Sequence, residues 1–100
     1  MDAEVLFLES SDQAPLDARR FTAAVFGRWG VSDDYLARLV VSELVTNAYL
    51  HGSGAIILRL SPAGEGGVPL VEVYDESDRL PTVRPENYAA EDGRGLATIA

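Results

Sequence analysis

The sequence predicts an α+β domain in which helices cover one face of a mainly antiparallel β-sheet. Three runs rich in large apolar and β-branched residues, at 3–9, 55–61 and 68–75, have the composition of strands. Between the first two runs, apolar residues recur at helical spacing over 15–30 and again over 32–52. With a last helix predicted at the end of the chain, the order strand, helix, helix, strand, strand, helix favours helices on one face of a mainly antiparallel sheet.

The two predicted helices have recognisable ends. Pro15 suits a first helical turn, because its missing N–H has no partner there in any helix. For the second helix we expect Ser32 as the N-cap, with Asp33 and Asp34 in the first turn, where the positive end of the helix dipole favours acids. Gly52 is well placed to terminate this helix.

The second half of the chain predicts a hairpin, a long loop and a last helix. The strands at 55–61 and 68–75 are separated by the turn segment PAGEGG, so we expect an antiparallel pair. Residues 76–92 show no periodicity and include two prolines, and loops of this length are usually functional or disordered. A last helix is predicted to begin near Gly93 or Arg94 and to run to the chain end.

Charge and composition exclude several classes of function. The 100 residues make one domain with a net charge of −8, which makes nucleic acid and anionic membrane poor partners. All eight basic residues are arginine, so the lysine that a P-loop NTPase or an ordinary protein kinase places on the nucleotide phosphates is missing. Cysteine is absent, so neither a disulfide nor a thiolate metal site can form. The start of the chain has no signal-peptide pattern, and we expect a cytoplasmic protein.

Three polar residues on the second helix are candidates for a site. Glu43, Asn47 and His51 span about 80° of the helix circumference, on the same side as Leu36 and Val40. We therefore predict that they interrupt a buried face, where an unpaired carboxylate would cost several kcal/mol unless it lines a cavity. The alternative is a purely structural role, in which Glu43 bonds to Asn47 and His51 complements the helix C-terminus.

Two downstream segments carry a further signal. Asp75 ends a predicted strand, where its carboxylate could accept a hydrogen bond from an exocyclic amine. Backbone N–H groups from Gly93 to Gly95, before a helix N-terminus, could hold phosphates without lysine. Each signal has an ordinary alternative, because a strand-end aspartate often forms a turn and Gly-x-Gly often forms a loop.

Taken together, these segments resemble the GHKL superfamily of ATP-binding domains, which includes histidine kinases and gyrase. ELVTNAYLHG is similar to the family's N box, VEVYDESD to its G1 box and GRGL to its G2 box, and the three occur in the family's order. The resemblance is closest to the branch of anti-sigma regulatory factors that are also serine protein kinases, of the actinobacterial type. It implies a single two-layer α/β sandwich of the Bergerat type over 1–100.

The resemblance also implies roles for individual residues. Asn47 would give its amide oxygen to Mg²⁺, Glu43 would be the general base toward a serine hydroxyl or water, and His51 would line the phosphate side. Asp75 would read the adenine amino group, with residues 76–92 as a lid. The positions matched to nucleotide binding are Asn47, His51, Asp75, Ser77, Gly93, Arg94, Gly95 and Leu96.

Two departures from the family pattern are visible. Ser77 and Arg79 stand where the usual G1 box, Asp-x-Gly-x-Gly, has glycine, which lets backbone approach the base closely. The chain also stops at Ala100, so the family's C-terminal strands are expected to be lacking and the hairpin to have an exposed edge.

The expected function follows from the resemblance. It is an ATP- and Mg²⁺-dependent anti-sigma-type regulator that phosphorylates a serine of a small antagonist protein. The alternative is a nucleotide-responsive protein-binding module without significant catalysis. Expected partners are a sigma factor, the antagonist, or both, and a second copy in a homodimer.

Overall fold

The computed structural model describes residues 2–63, 67, 69–77 and 97–99. Within this part of the chain, two helices and four strands form an α+β domain, as the sequence predicts. Three strands are antiparallel neighbours, and the fourth pairs in parallel with the third. None of the described helices is long and apolar enough to cross a membrane. In chain order the elements are β1 (Glu4–Leu8), α1 (Ala14–Arg28), α2 (Tyr35–His51), β2 (Ile56–Ser61), β3 (Leu70–Tyr74) and β4 (Ala97–Ile99).

The strand register places one row of apolar residues under the helices. Leu58, in the central strand β2, lies opposite Leu6 of β1 and Val73 of β3. Side chains alternate between the faces of a sheet, so the residues two positions away from these three share the covered face. The fully or nearly fully buried members of this row are Leu8, Ile56, Leu58, Leu60, Val71 and Val73.

The two helices close the core over that face. The ring of Phe26, in the last two turns of α1, is fully buried and its centroid lies 5.4 Å from that of Trp29. The buried hydroxyl of Thr22 donates to the carbonyl of Ala18 at 2.8 Å, which removes the penalty of an unpaired polar group. The two helices also contact each other through a hydrogen bond of 2.9 Å from Arg19 to the hydroxyl of Ser42.

The predicted N-terminus of α2 is wrong by two residues. The helix begins at Tyr35, and its N-cap residue is Asp34 rather than Ser32. No side-chain capping bond is made, because the Asp34 carboxylate accepts a hydrogen bond of 3.0 Å from Arg38 Nε one turn later. The predicted C-terminus is confirmed, since α2 ends at His51 and Gly52 follows as the C-cap.

The predicted C-terminal helix is wrong over 97–99, where the chain forms β4. Leu70, Val71 and Glu72 of β3 pair with Ala97, Thr98 and Ile99 in parallel. Thr98 and Ile99 are β-branched and fit a strand better than a helix, and their pairing satisfies the second edge of β3. The hairpin edge is therefore covered by β4, in contrast to the expectation of an exposed one.

Candidate functional site

The polar trio of α2 is exposed, so the prediction that it interrupts a buried face is wrong. Glu43, Asn47 and His51 all have accessible side chains. Leu36 and Val40, which lie on the same side of the helix one to two turns earlier, are buried, so the covered part of that side does not extend to the trio. The buried residues of α2 are Leu36, Ala37, Val40, Val41, Leu44, Val45 and Ala48.

The trio nevertheless forms one line along the helix. Its members are spaced four residues apart, so successive side chains lie about one turn from each other, and the line is about 12 Å long at 1.5 Å per residue. His51 is the last residue of α2, where a cation complements the negative end of the helix dipole. The line therefore leads from a carboxylate and an amide to the C-terminal end of α2.

Asp75 lies against that same end of α2. A methyl group added to Gly52 would overlap the Oδ2 atom of Asp75, so the Asp75 carboxylate is packed directly against the Gly52 backbone. Its other oxygen, Oδ1, accepts a hydrogen bond of 2.7 Å from the backbone N–H of Ser77. Oδ1 is thus held by the turn that follows β3, while Oδ2 faces Gly52, the C-cap residue of α2.

A second contact fixes the loop after α2 to the end of β3. The backbone N–H of Ala55 donates to Glu76 Oε2 at 2.8 Å, and the N–H of Glu76 donates to the carbonyl of Ser53 at 2.7 Å. Gly54 lies between them with φ +73°, in the left-handed region, and a methyl group there would overlap the Glu76 carboxylate. These two hydrogen bonds join Ser53 and Ala55, which follow α2, to Glu76, which directly follows Asp75. They therefore hold Asp75 close to the end of α2.

The structure therefore brings together only part of the predicted site. Asp75 and Ser77 lie next to Gly52 at the C-terminal end of α2, while His51, Asn47 and Glu43 lie on the helix itself, at its last residue and about one and two turns earlier. Predictions that fall on 78–96 lie outside the described residues, which includes most of the lid and all of the predicted phosphate-binding segment. These predictions concern Arg79, Gly93, Arg94, Gly95 and Leu96.

The described residues contain no cluster of three histidine, aspartate or glutamate side chains able to hold a metal ion. Mg²⁺ with a nucleotide needs fewer protein ligands, because phosphate and water oxygens complete its octahedron. Such a ligand is compatible with the accessible, oxygen-bearing side chains of Glu43 and Asn47. It is also compatible with the Asp75 carboxylate, which is packed against Gly52.

A buried polar cluster on the opposite face of the sheet was missed by the sequence reasoning. Glu72 is only 7% exposed, and its Oε2 accepts a hydrogen bond of 2.5 Å from the Tyr74 hydroxyl. Arg59, which lies opposite Glu72 in the register, is 3.7 Å from Oε1, and among the described residues no hydrogen bond reaches that oxygen. The sequence does contain a signal for this cluster, because Glu72 interrupts the apolar run of β3. The alternation of side chains along the strand places Glu72 on the face away from the helices.

This cluster predicts a pH dependence. The hydrogen bond to Glu72, burial and the Glu72 charge raise the pKa of Tyr74 above its ordinary value of 10.0, while Arg59 acts in the opposite direction. The folded state holds this proton more tightly, so its contribution to stability is complete below about pH 10 and is lost as pH rises through the folded pKa.

We expect ultraviolet titration of the protein to show a late-ionising tyrosine, and Tyr74→Phe to remove it. Tyr35→Phe is the matched control, because Tyr35 is exposed on α2. If the late group persists in Tyr74→Phe, the hydrogen bond to Glu72 does not control this ionisation.

The fold and the site define a small α+β domain with an acidic and amide-bearing helix flank beside a strand-end aspartate. Comparison of the chain with protein-family models, with curated proteins and with solved structures gave no match.

Proposed function

We propose that this chain is an ATP-binding regulator of the anti-sigma type that phosphorylates a serine of a small antagonist protein. The observation that carries the proposal is the packing of Asp75 against Gly52. It brings the strand-end carboxylate to the end of the helix that bears Glu43, Asn47 and His51, although more than twenty residues separate the two segments in sequence.

The proposed roles follow the order of these groups along α2. Asp75 accepts a hydrogen bond from the adenine amino group, and the Ser77 N–H keeps its carboxylate oriented. Asn47, about one turn before the helix end, would hold the magnesium ion through its amide oxygen. That ion, when bound, offsets the charge of the phosphates.

Glu43 lies one turn beyond Asn47 on the same side of the helix and is accessible from solvent. It takes the proton of the serine hydroxyl as the serine oxygen bonds to the γ-phosphorus and the bond between that phosphorus and the β,γ-bridging oxygen breaks. The products are phosphoserine and ADP. Exposure of Glu43 suits this role, because a protein substrate must reach it from outside.

A nucleotide titration tests the binding site. We expect calorimetry to show ATP binding that requires Mg²⁺, with the metal dependence lost in Asn47→Ala. In Asp75→Asn, the loss of a hydrogen bond to a charged acceptor should weaken ATP by roughly tenfold or more, and GTP should compete poorly with ATP in the wild type.

Asp12→Asn is the matched control for Asp75→Asn. It makes the same change of charge in the exposed turn before α1, and its ATP affinity should equal that of the wild type. ATP binding that is indifferent to both Asn47→Ala and Asp75→Asn would contradict the proposed site.

A second candidate function is a nucleotide-responsive binding module without significant catalysis. The observation that favours it is the junction after β3, where Glu76 bonds to Ser53 and Ala55 and the Ser77 N–H is used by Asp75. Of these residues, Ser77 stands where the GHKL pattern has glycine, so its N–H is held by Asp75 at a position where that pattern has a conformationally freer residue. In this case ATP should change the affinity for a partner protein, and Glu43→Gln should leave that change intact.

A further inference from the structure

The side of α2 that faces away from the core carries a line of exposed apolar side chains. Tyr35 and Leu50 are 62% and 61% exposed, and Leu39 is 41% exposed. At about 100° per residue, these three side chains lie within about 60° of each other around the helix. The buried Leu44 and Ala48 lie on the opposite side. Single exposed apolar residues are ordinary, but a line of them on one helix indicates a binding surface, which we call the apolar strip.

The apolar strip carries little charge, although the chain as a whole has a net charge of −8. Within α2, Arg38 and Glu43 are the only arginine or acidic residues. Arg38 is paired with Asp34 at 3.0 Å. Beside the strip, Arg19 of α1 donates to the hydroxyl of Ser42 at 2.9 Å. Both cations near the strip are therefore engaged within the chain, and an uncharged, apolar occupant is the complementary one.

Glu43 lies at the border between the apolar strip and the side of α2 that bears Asn47 and His51. Around the helix, Glu43 is about 40° from Leu39 and about 20° from Leu50, while Asn47 is about 40° from Glu43 on the other side. Along the helix axis, Leu39 lies about 6 Å before Glu43 and Leu50 about 10 Å after it. A molecule on the apolar strip can therefore reach Glu43 without entering the side that is proposed for the nucleotide.

We propose that the apolar strip binds the serine-bearing segment of the protein substrate, with the serine at Glu43 and apolar side chains on Leu39 and Leu50. This inference rests on the proposed kinase function and adds the chemistry of the segment that is recognised. An extended segment advances about 3.3 Å per residue. The apolar residues are therefore expected about two residues from the serine on the Leu39 side and about three to four residues from it on the Leu50 side.

The two leucine contacts determine affinity more than rate. They are made before and during phosphoryl transfer alike, so their loss should raise KM and leave kcat nearly unchanged. Burying one leucine-sized contact corresponds to a factor of roughly ten in affinity. A basic side chain placed on Leu39 or Leu50 would lose its hydration without gaining a partner, so lysine at these positions of the substrate should be disfavoured.

A peptide library tests the proposed recognition. Its members contain one fixed serine with each flanking position varied in turn, and the full chain labels them with Mg²⁺-ATP. We expect the strongest labelling with leucine, isoleucine or phenylalanine about two residues from the serine on one side and three to four on the other. Lysine at either position should lower kcat/KM roughly tenfold, through KM.

Two charge variants assign each preference to a residue of α2. Leu39→Lys and Leu50→Lys should each change the preference at one flanking position from apolar to acidic and leave the other position unchanged. Phe7→Lys is the matched control, because Phe7 is 71% exposed on the sheet face away from the helices, and its preferences should equal those of the wild type. All three variants should keep the ATP affinity of the wild type, since none of them is proposed to contact nucleotide.

The outcomes separate this inference from the function on which it rests. Labelling without positional preference, or a preference that both leucine variants leave intact, would overturn the role of the apolar strip while the kinase function stands. Variants that change sedimentation and not peptide preference would assign the strip to a second copy instead. On any folded antagonist that the wild type labels, both variants should raise KM. A wild type that labels neither peptides nor candidate antagonists would overturn the kinase function, and this inference with it.

Discussion

Gly52→Ala is expected to weaken ATP binding and to destabilise the fold at the same time. The added methyl group would overlap Asp75 Oδ2 and lie 2.7 Å from the carbonyl oxygen of Ala48. The Asp75 side chain can rotate away, but the Ala48 carbonyl belongs to the last turn of α2 and accepts the Gly52 N–H at 2.9 Å. We expect a loss of roughly 1–3 kcal/mol in the free energy of unfolding, as for other overpacked sites, measured by denaturant titration.

The same substitution should reduce ATP affinity at least as much as Asp75→Asn does. Displacement of the carboxylate removes the acceptor for the adenine amino group and also breaks its alignment by Ser77. In the double variant Gly52→Ala/Asp75→Ala, the overlap with Oδ2 is gone, so part of the stability should return while ATP binding stays lost. If stability returns while ATP binding stays lost, the loss of ATP affinity is due to the missing Asp75 carboxylate and not to a less stable fold.

Gly27→Ala provides the matched control. Gly27 is in the last turns of α1, and a methyl group added there meets nothing within 4 Å. Alanine is the better helix residue, so this variant should gain about 0.5–1 kcal/mol and keep its ATP affinity. If Gly52→Ala is as stable as Gly27→Ala and binds ATP normally, the close packing of Asp75 on α2 has no functional importance.

The elements that sequence reasoning predicted correctly are those with strong local signals. The periodicity of α2 and Gly52 at its end predicted the helix and its C-terminus, and the apolar runs around PAGEGG predicted β2 and β3. The N-terminus of α2 was misassigned because three acceptor residues, Ser32, Asp33 and Asp34, compete for the capping position. The bond from Arg38 to Asp34, which depends on the helix already formed, is not visible in local propensity.

The candidate site depended on geometry that periodicity describes only approximately. Helical spacing placed Glu43, Asn47 and His51 on one side of α2, but the width of the buried face depends on how α1 and the sheet are packed. The trio is exposed, although Leu36 and Val40, on the same side of the helix one to two turns earlier, are buried.

The antiparallel pairing of β2 and β3 sets Tyr74 opposite Ile57 and so returns Asp75 to the segment that follows α2. The predicted hairpin therefore implied that Asp75 lies near Gly52, but the direct contact depends on side-chain packing that no local pattern describes.

Glu43→Gln is expected to have the largest effect on activity. Removing a general base slows proton transfer by roughly 10²–10⁴-fold, while the neutral amide keeps the size of the side chain. We expect transfer of labelled phosphate from Mg²⁺-ATP to candidate antagonist proteins to fall by this factor, together with the slow release of phosphate by the chain alone. ATP affinity should change little, because Asn47 and Asp75 are intact.

Glu9→Gln is the matched control, since Glu9 is exposed and lies away from α2. Its phosphotransfer rate should equal that of the wild type. Equal rates for Glu43→Gln and the wild type would exclude Glu43 as the base. If neither protein transfers phosphate, but ATP still alters partner affinity in both, the binding-module function is correct and the kinase function is not. Because Glu43→Gln leaves the fold and the nucleotide contacts in place, the comparison isolates the chemical step from binding.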